Sequence, residues 1–224
     1  FAKIKNRKEA IADYQQVLKI NPKCSMAYES IGTSLYFMND LDGAFANLNK
    51  ALELSPASDT AFEWRAAVHA RKENFQKAMD DYSKAIELNS QSTNPYHYRG
   101  VLLFEQGDLK GSMKDFNEAI QIDGSSTFAY RWRGEINLRQ GHTTDAMTDF
   151  RTVLNMTPAQ FNYLECINRA IANFHLKNYT QAKIDLDNAL KFYPNGKEAI
   201  ELEKKLAKFA SQEEYNFKNP KTNN

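Results

Sequence analysis

An interval of 34 residues governs what this chain can fold into. Small residues fall at Gly32, Ala66, Gly100 and Gly134, and four residues ahead of them stand Tyr28, Phe62, Tyr96 and Tyr130. Later in each interval come Ala10, Ala44, Ala78, Ser112 and Ala146. Each is followed four residues on by a large side chain: Tyr14, Leu48, Tyr82, Phe116 and Phe150. Val17, Ala51, Ala85, Ala119 and Val153 keep the same step, and Pro22, Pro56 and Pro158 close units. A unit this short cannot bury its own apolar face, so it must stack on copies before and after it.

Within each unit the apolar spacing is helical, as in Ala78, Tyr82, Ala85 and Ile86. Glycine and proline number only nine and six, too few for the dense turns of an all-β chain. Each unit therefore reads as two antiparallel helices. Asn39-Asp40, Glu73-Asn74, Gly107-Asp108 and Gly141-His142 stand at the turns between them. Asp40, Asn74 and Asp108 are placed to cap the second helix, and Pro95 sits in a first helical turn where its missing N–H costs nothing. The small residue of the first helix lets the second approach, and the flanking large residues fill the space beside it.

These registers resemble the tetratricopeptide repeat (TPR) family, most closely in AYESIGTSLYFMNDLDGAFANLNKALELSP, residues 27–56. The resemblance spans about residues 1–196 and implies an all-α fold, an α-α superhelix with a C-terminal capping helix. The expected layout is the end of a repeat over 1–24, then repeats at 25–58, 59–92, 93–126, 127–162 and 163–196. A capping helix over 197–211 and a disordered tail over 212–224 complete it. Phe1 aligns with the Leu35 register, so the chain is expected to open inside a repeat with more sequence upstream. From Ala146 to Ala182 the step is 36, which puts two extra residues within 158–165; Cys166 then takes the aromatic position. In the capping helix Ala199, Ile200, Leu202, Leu206 and Phe209 are expected on one face.

The formal net charge of +1 argues against a dedicated nucleic-acid binder or a polybasic membrane-surface protein. No run is long and apolar enough to insert into a membrane. Two cysteines, Cys24 and Cys166, make no disulfide framework and suggest a reducing compartment, hence a cytoplasmic location. Phosphate-loop, dinucleotide, zinc-protease and nucleophile-elbow motifs are missing, and the four histidines lack metal-ligand spacing. The expectation is a protein that is not an enzyme and needs no cofactor or metal.

Trp64, Tyr98 and Trp132 share the register two residues before the small core residue. On a helix of 3.6 residues per turn that turns them about 200° from the core aromatic. The resemblance implies that first helices line a concave groove where partners bind, so the three rings are expected to form an anchoring strip. Packing between adjacent first helices is the competing account. His97, Phe104, Arg131 and Glu135 are further groove candidates, as are Glu29, Thr33, Glu63, Arg71, Val101 and Leu138. Arg65, Arg99, Arg133 and Arg169 form a separate row, read either as an anion-binding ladder or as structural side chains paired near the core. Chaperone-tail binding by TPR proteins needs Lys and Asn one turn apart in a first helix. Glu29, Thr33, Trp64, Asn94 and Tyr98 stand at the corresponding positions, so that clamp is not supported. The expected function is an adaptor that holds an extended peptide or an amphipathic helix of another protein. The alternatives are a non-catalytic regulatory or targeting arm of a larger enzyme, a co-chaperone or import-type receptor with its recognition repeats upstream, and a self-associating structural element.

Overall fold

The computed structural model describes residues 2–156 and 162–218, with side-chain surroundings for 6–156 and 162–209. Those residues form helices and turns with no strand among them. The chain divides into two compact units, Phe1–Ile122 and Asp123–Asn224.

The first unit holds α1 (Ala2–Ile20), α2 (Ser25–Phe37), α3 (Leu41–Leu54), α4 (Asp59–Arg71), α5 (Phe75–Leu88), α6 (Thr93–Glu105) and α7 (Leu109–Ile122). The tightest packing is within the pairs α2/α3, α4/α5 and α6/α7. Its cause is the small residue of each first helix. A Cβ on Gly32 would fall 2.7 Å from Leu48 Cγ, and one on Gly100 would fall 3.0 Å from Phe116 Cζ. Leu48, Tyr82 and Phe116 are all but fully buried, each worth about 1.5–3 kcal/mol of burial. The first helices also touch one another, α2 against α4 and α4 against α6, whereas α3, α5 and α7 do not meet. The side of the unit where α2, α4 and α6 converge is thus its inner face.

The second unit holds α8 (Thr127–Arg139), α9 (Thr143–Asn155), α10 (Tyr163–His175), α11 (Tyr179–Phe192) and α12 (Lys197–Lys218). It packs by the same rule, with α8/α9 and α10/α11 as pairs and α8, α10 and α12 meeting on one side. A Cβ on Gly134 would lie 2.8 Å from Phe150. Cys166 is buried in the aromatic position, together with Ala170, Leu186 and Ala189.

Helix ends follow the same period. Asn39, Glu73, Gly107, Gly141 and Lys177 take positive φ just after each first helix. The next N–H then reaches back five residues, as from Asp40 to Leu35 O (3.0 Å) and from Asn74 to His69 O (2.9 Å). Asp40 and Asp108 cap their second helices, accepting from Gly43 N and Gly111 N at 2.9 Å. Asn74 holds the cap position without a side-chain bond.

At the C-terminal end, α12 buries Ala199, Leu202 and Leu206 and lays Phe209 against Phe174 and Tyr179. Ile200 departs from the expected face and is exposed, because positions 199, 202, 206 and 209 already complete the helical stripe. The helix also continues through residue 212 to Lys218, past the expected boundary at 211. Residues 219–224 of the expected tail lie outside the described residues, as do residues 157–161, where most of the two-residue insertion was expected. Beyond that gap Asn162 caps α10, accepting from Glu165 N at 3.1 Å.

Candidate functional site

The inner face of the first unit contains an aromatic pocket of about 360 Å³. Trp64 of α4 stands over the end of α2, its ring centroid 5.5 Å from that of Tyr36 and 5.1 Å from that of Phe37. Tyr98 of α6 stacks on Tyr82 of α5 at 6.1 Å, and Val101 and Leu102 continue the wall. Phe37, Tyr98 and Phe75 line it while remaining 49%, 45% and 40% exposed. Large rings left this open around a concavity are unusual on a protein surface.

Three charged residues line the same pocket: Glu63, Glu105 and Arg71. Arg71 is held in place. Its Nη1 donates to Tyr36 O at 3.4 Å, its Nη2 donates to Asn39 Oδ1, and its guanidinium lies 5.2 Å over the Tyr36 ring. Glu63 accepts from Asn94 Nδ2 at 3.2 Å. Burial pushes the Glu63 carboxyl above its ordinary range; the Asn94 bond opposes this, while Asp59 and Glu29 raise it further. Burial likewise raises the Tyr36 and Tyr98 hydroxyls, against the charge of Arg71 at Tyr36.

Trp64 and Tyr98 of the expected strip line one pocket, which Glu63, Arg71 and Val101 also line, whereas Trp132 lies in the second unit. His97 is half-buried on α6 and does not line this pocket. Phe104 was expected on the groove, but the structure buries it at 6% exposure. The reason is its spacing: Tyr96, Gly100 and Phe104 are four residues apart and share the core face. Tyr36, Phe37, Phe75 and Tyr82 complete the pocket and were not singled out as site residues. The aromatic pair at the end of α2 was the available signal.

The inner face of the second unit is filled by its own side chains. Arg131, expected to set groove polarity, is only 3% exposed. Its Nη2 donates to Glu198 Oε1 of α12 at 2.8 Å, its Nε donates to Asn168 Oδ1 at 3.3 Å, and its guanidinium lies 4.1 Å over Trp132. Asn168 in turn donates to Thr127 Oγ1 (3.2 Å), which donates to Glu165 at 3.0–3.1 Å. Glu135 meets His175 Nε2 at 3.0 Å, and that imidazole stacks on Phe150 at 4.7 Å. Burial works to raise the Glu135 carboxyl, but His175, Arg131 and Lys205 outweigh it and hold it below its ordinary range. Arg131 and Glu135 are therefore committed internally, because α12 brings a carboxylate and α10 a histidine against them.

The arginine row is paired. Arg65 grips Asp81 through Nε and Nη2, both at 2.7 Å, and reaches back to Asn49 Oδ1 with Nη1 at 2.9 Å. Arg99 repeats this with Asp115 (2.8 and 2.7 Å) and Ser83 Oγ (2.8 Å). Arg133 grips Asp149 at 3.0 and 2.6 Å. Arg169 differs: its Nη1 donates to Leu154 O at 3.2 Å, and Asp185 instead accepts from Asn173 at 2.8 Å. Fork-to-carboxylate pairing of this kind is the structural account of the row.

His69 is buried beside Asp81 (3.9 Å), and burial lowers its proton affinity. No group of three or more potential metal ligands occurs among the described residues. No helix among them is long and apolar enough to cross a membrane.

Family models described as tetratricopeptide repeat match residues 30–93 and 1–24. No curated protein matches the sequence. Among solved structures, the fold is similar to that of YrrB, described as a TPR protein with an unusual peptide-binding site. That likeness has a TM-score of 0.58 and 22% identity, and covers 85% of this chain and 97% of the other. A tetratricopeptide repeat protein from Parabacteroides merdae aligns at TM-score 0.69 and 20% identity, covering 91% of this chain and 78% of its own. The APC/C hetero-tetramer Cut9–Hcn1 aligns at 0.72 and 16%, covering 86% of this chain and 38% of that one. TPR proteins are in general scaffolds for protein–protein interaction, and the fold is typically non-catalytic. Residues 1–24 and 30–93 thus match tetratricopeptide repeat models, and the all-α superhelical repeat fold is similar to that of solved tetratricopeptide repeat proteins.

Proposed function

We propose that this chain is a non-catalytic adaptor that holds a segment of another protein, extended or as an amphipathic helix, on the inner face of its first unit. The observation that carries this is the open aromatic pocket around Trp64 and Tyr98. Tyrosine and tryptophan dominate binding hot spots, and a ring that becomes fully desolvated on contact contributes about 2 kcal/mol or more. An exposed ring such as Tyr98 gains that burial only when something covers it. A protein of the same fold described as having a peptide-binding site supports the reading. Helices α4 and α6 are each fastened to their pair helix, by Arg65–Asp81 and Arg99–Asp115, so the site is presented preformed and little ordering cost opposes binding.

The test compares proteins captured from a lysate by the wild-type chain and by Tyr98→Ala, after thermal melts show both folded. A partner that binds about tenfold or more weaker to the variant places recognition at the pocket. The same partners held equally well by Tyr98→Ala would remove the pocket from the binding surface.

A further inference from the structure

We propose that the occupant of the pocket in the first unit is a basic side chain, lysine or arginine, presented by the partner segment. This deepens the adaptor reading and rests on it. Three observations point the same way. First, the rings of Phe37, Trp64 and Tyr98 line the pocket, and aromatic rings attract a cation through their quadrupoles and accept an alkyl stem on their surfaces. The chain already uses these surroundings so: the Arg7 guanidinium lies 4.0 Å over the Phe37 ring, and Arg71 lies over Tyr36. Second, two carboxylates line the pocket against one guanidinium, and that guanidinium is tied to Tyr36 O and Asn39. Third, Glu63 sits partly buried with an amide, Asn94, as its hydrogen-bond partner, in the field of Glu29 and Asp59.

These features discriminate among occupants. An acidic segment would add charge of the same sign beside Glu63 and Glu105. An aliphatic side chain would strip water from Glu63 and return nothing. A lysine or arginine offers Glu63 and Glu105 a positive partner while its methylenes cover the rings.

The experiment pans a displayed library of random peptides on the full chain and measures the selected peptides by fluorescence polarisation at low and high salt. The expected peptides carry lysine or arginine beside apolar residues. They bind about tenfold weaker to Glu63→Gln/Glu105→Gln, weaken with salt, and are lost on Tyr98→Ala. Thermal melts of each variant provide the folding control, and Phe37→Leu replaces Tyr98→Ala if the latter melts early. Peptides of acidic or wholly aliphatic consensus that still require Tyr98 would overturn the basic occupant and leave the adaptor site standing. No selected peptide, or peptides indifferent to both ring substitutions, would overturn the occupant and the site together.

Discussion

Gly100 leaves room for little more than a hydrogen, since a Cβ there would meet Phe116 Cζ and Cε2 at 3.0 and 3.1 Å. A leucine must displace a fully buried ring, so Gly100→Leu is expected to cost about 1–3 kcal/mol, read as a lower denaturation midpoint. Two glutamates on the inner faces should respond to pH in opposite directions. The Glu135 carboxyl is held low, so its contribution is present above the unfolded value of about 4.3 and fades as pH falls through its folded value. Glu63 is raised, so its contribution is full below about 4.3 and is lost as pH rises through its folded value. Thus Glu63→Gln should raise the melting temperature at neutral pH and Glu135→Gln should lower it. Both differences should shrink below about pH 4, which melts across a pH series would check. Single positions were legible where spacing alone decides them: Gly32, Gly100 and Gly134 meet the residues their registers named. Arg131 was not legible, because its burial depends on Glu198, a residue 67 positions away.

Each first helix ends in a left-handed residue, and at three of these ends it is not glycine: Asn39, Glu73 and Lys177. Asparagine tolerates that conformation better than most, whereas Glu73 and Lys177 hold it against Cβ crowding. Glu73→Gly and Lys177→Gly are each expected to stabilise the protein by about 0.5–1 kcal/mol, measured by chemical denaturation. The helices of a pair are also fastened across their seam. Arg65/Asp81, Arg99/Asp115 and Arg133/Asp149 all stand 16 residues apart, a spacing plainly written in the sequence once carboxylates are sought as partners. Asp115 is 2% exposed in its side chain, so Arg99→Ala strands a buried charge and should cost about 3 kcal/mol. Arg169→Ala strands none, since Asp185 is served by Asn173, and should cost about 1 kcal/mol. Equal losses from the two substitutions would contradict this account of the row.

Across the molecule, packing joins helices that are near neighbours in sequence, which is why periodicity alone revealed the fold. Periodicity drew a series of repeats with one two-residue insertion, and the structure resolves two compact units. It could not tell an open inner face from a filled one, because the same register holds Tyr98, 45% exposed, and Trp132, half-buried beneath Arg131. That difference arises from side chains the repeat does not specify, such as Glu198 on α12. The two tryptophans fall one in each unit, so Trp64→Phe and Trp132→Phe variants give separate fluorescence reports. Adding Gly100→Leu should shift the midpoint read at Trp64 by the full overpacking cost of about 1–3 kcal/mol, and the midpoint read at Trp132 by less.

The arginine clasp gives the repeat a direction. Arg65 and Arg99 each find their carboxylate downstream, within their own helix pair, but their remaining acceptor, Asn49 or Ser83, lies on the helix before. A unit cut out between these helices would carry its own lock and leave behind its neighbour's latch. Duplicated and rejoined in register, such cassettes would fasten head to tail and could not be joined in reverse. In these two repeats a single arginine therefore carries the polarity rule by which a longer array could be written.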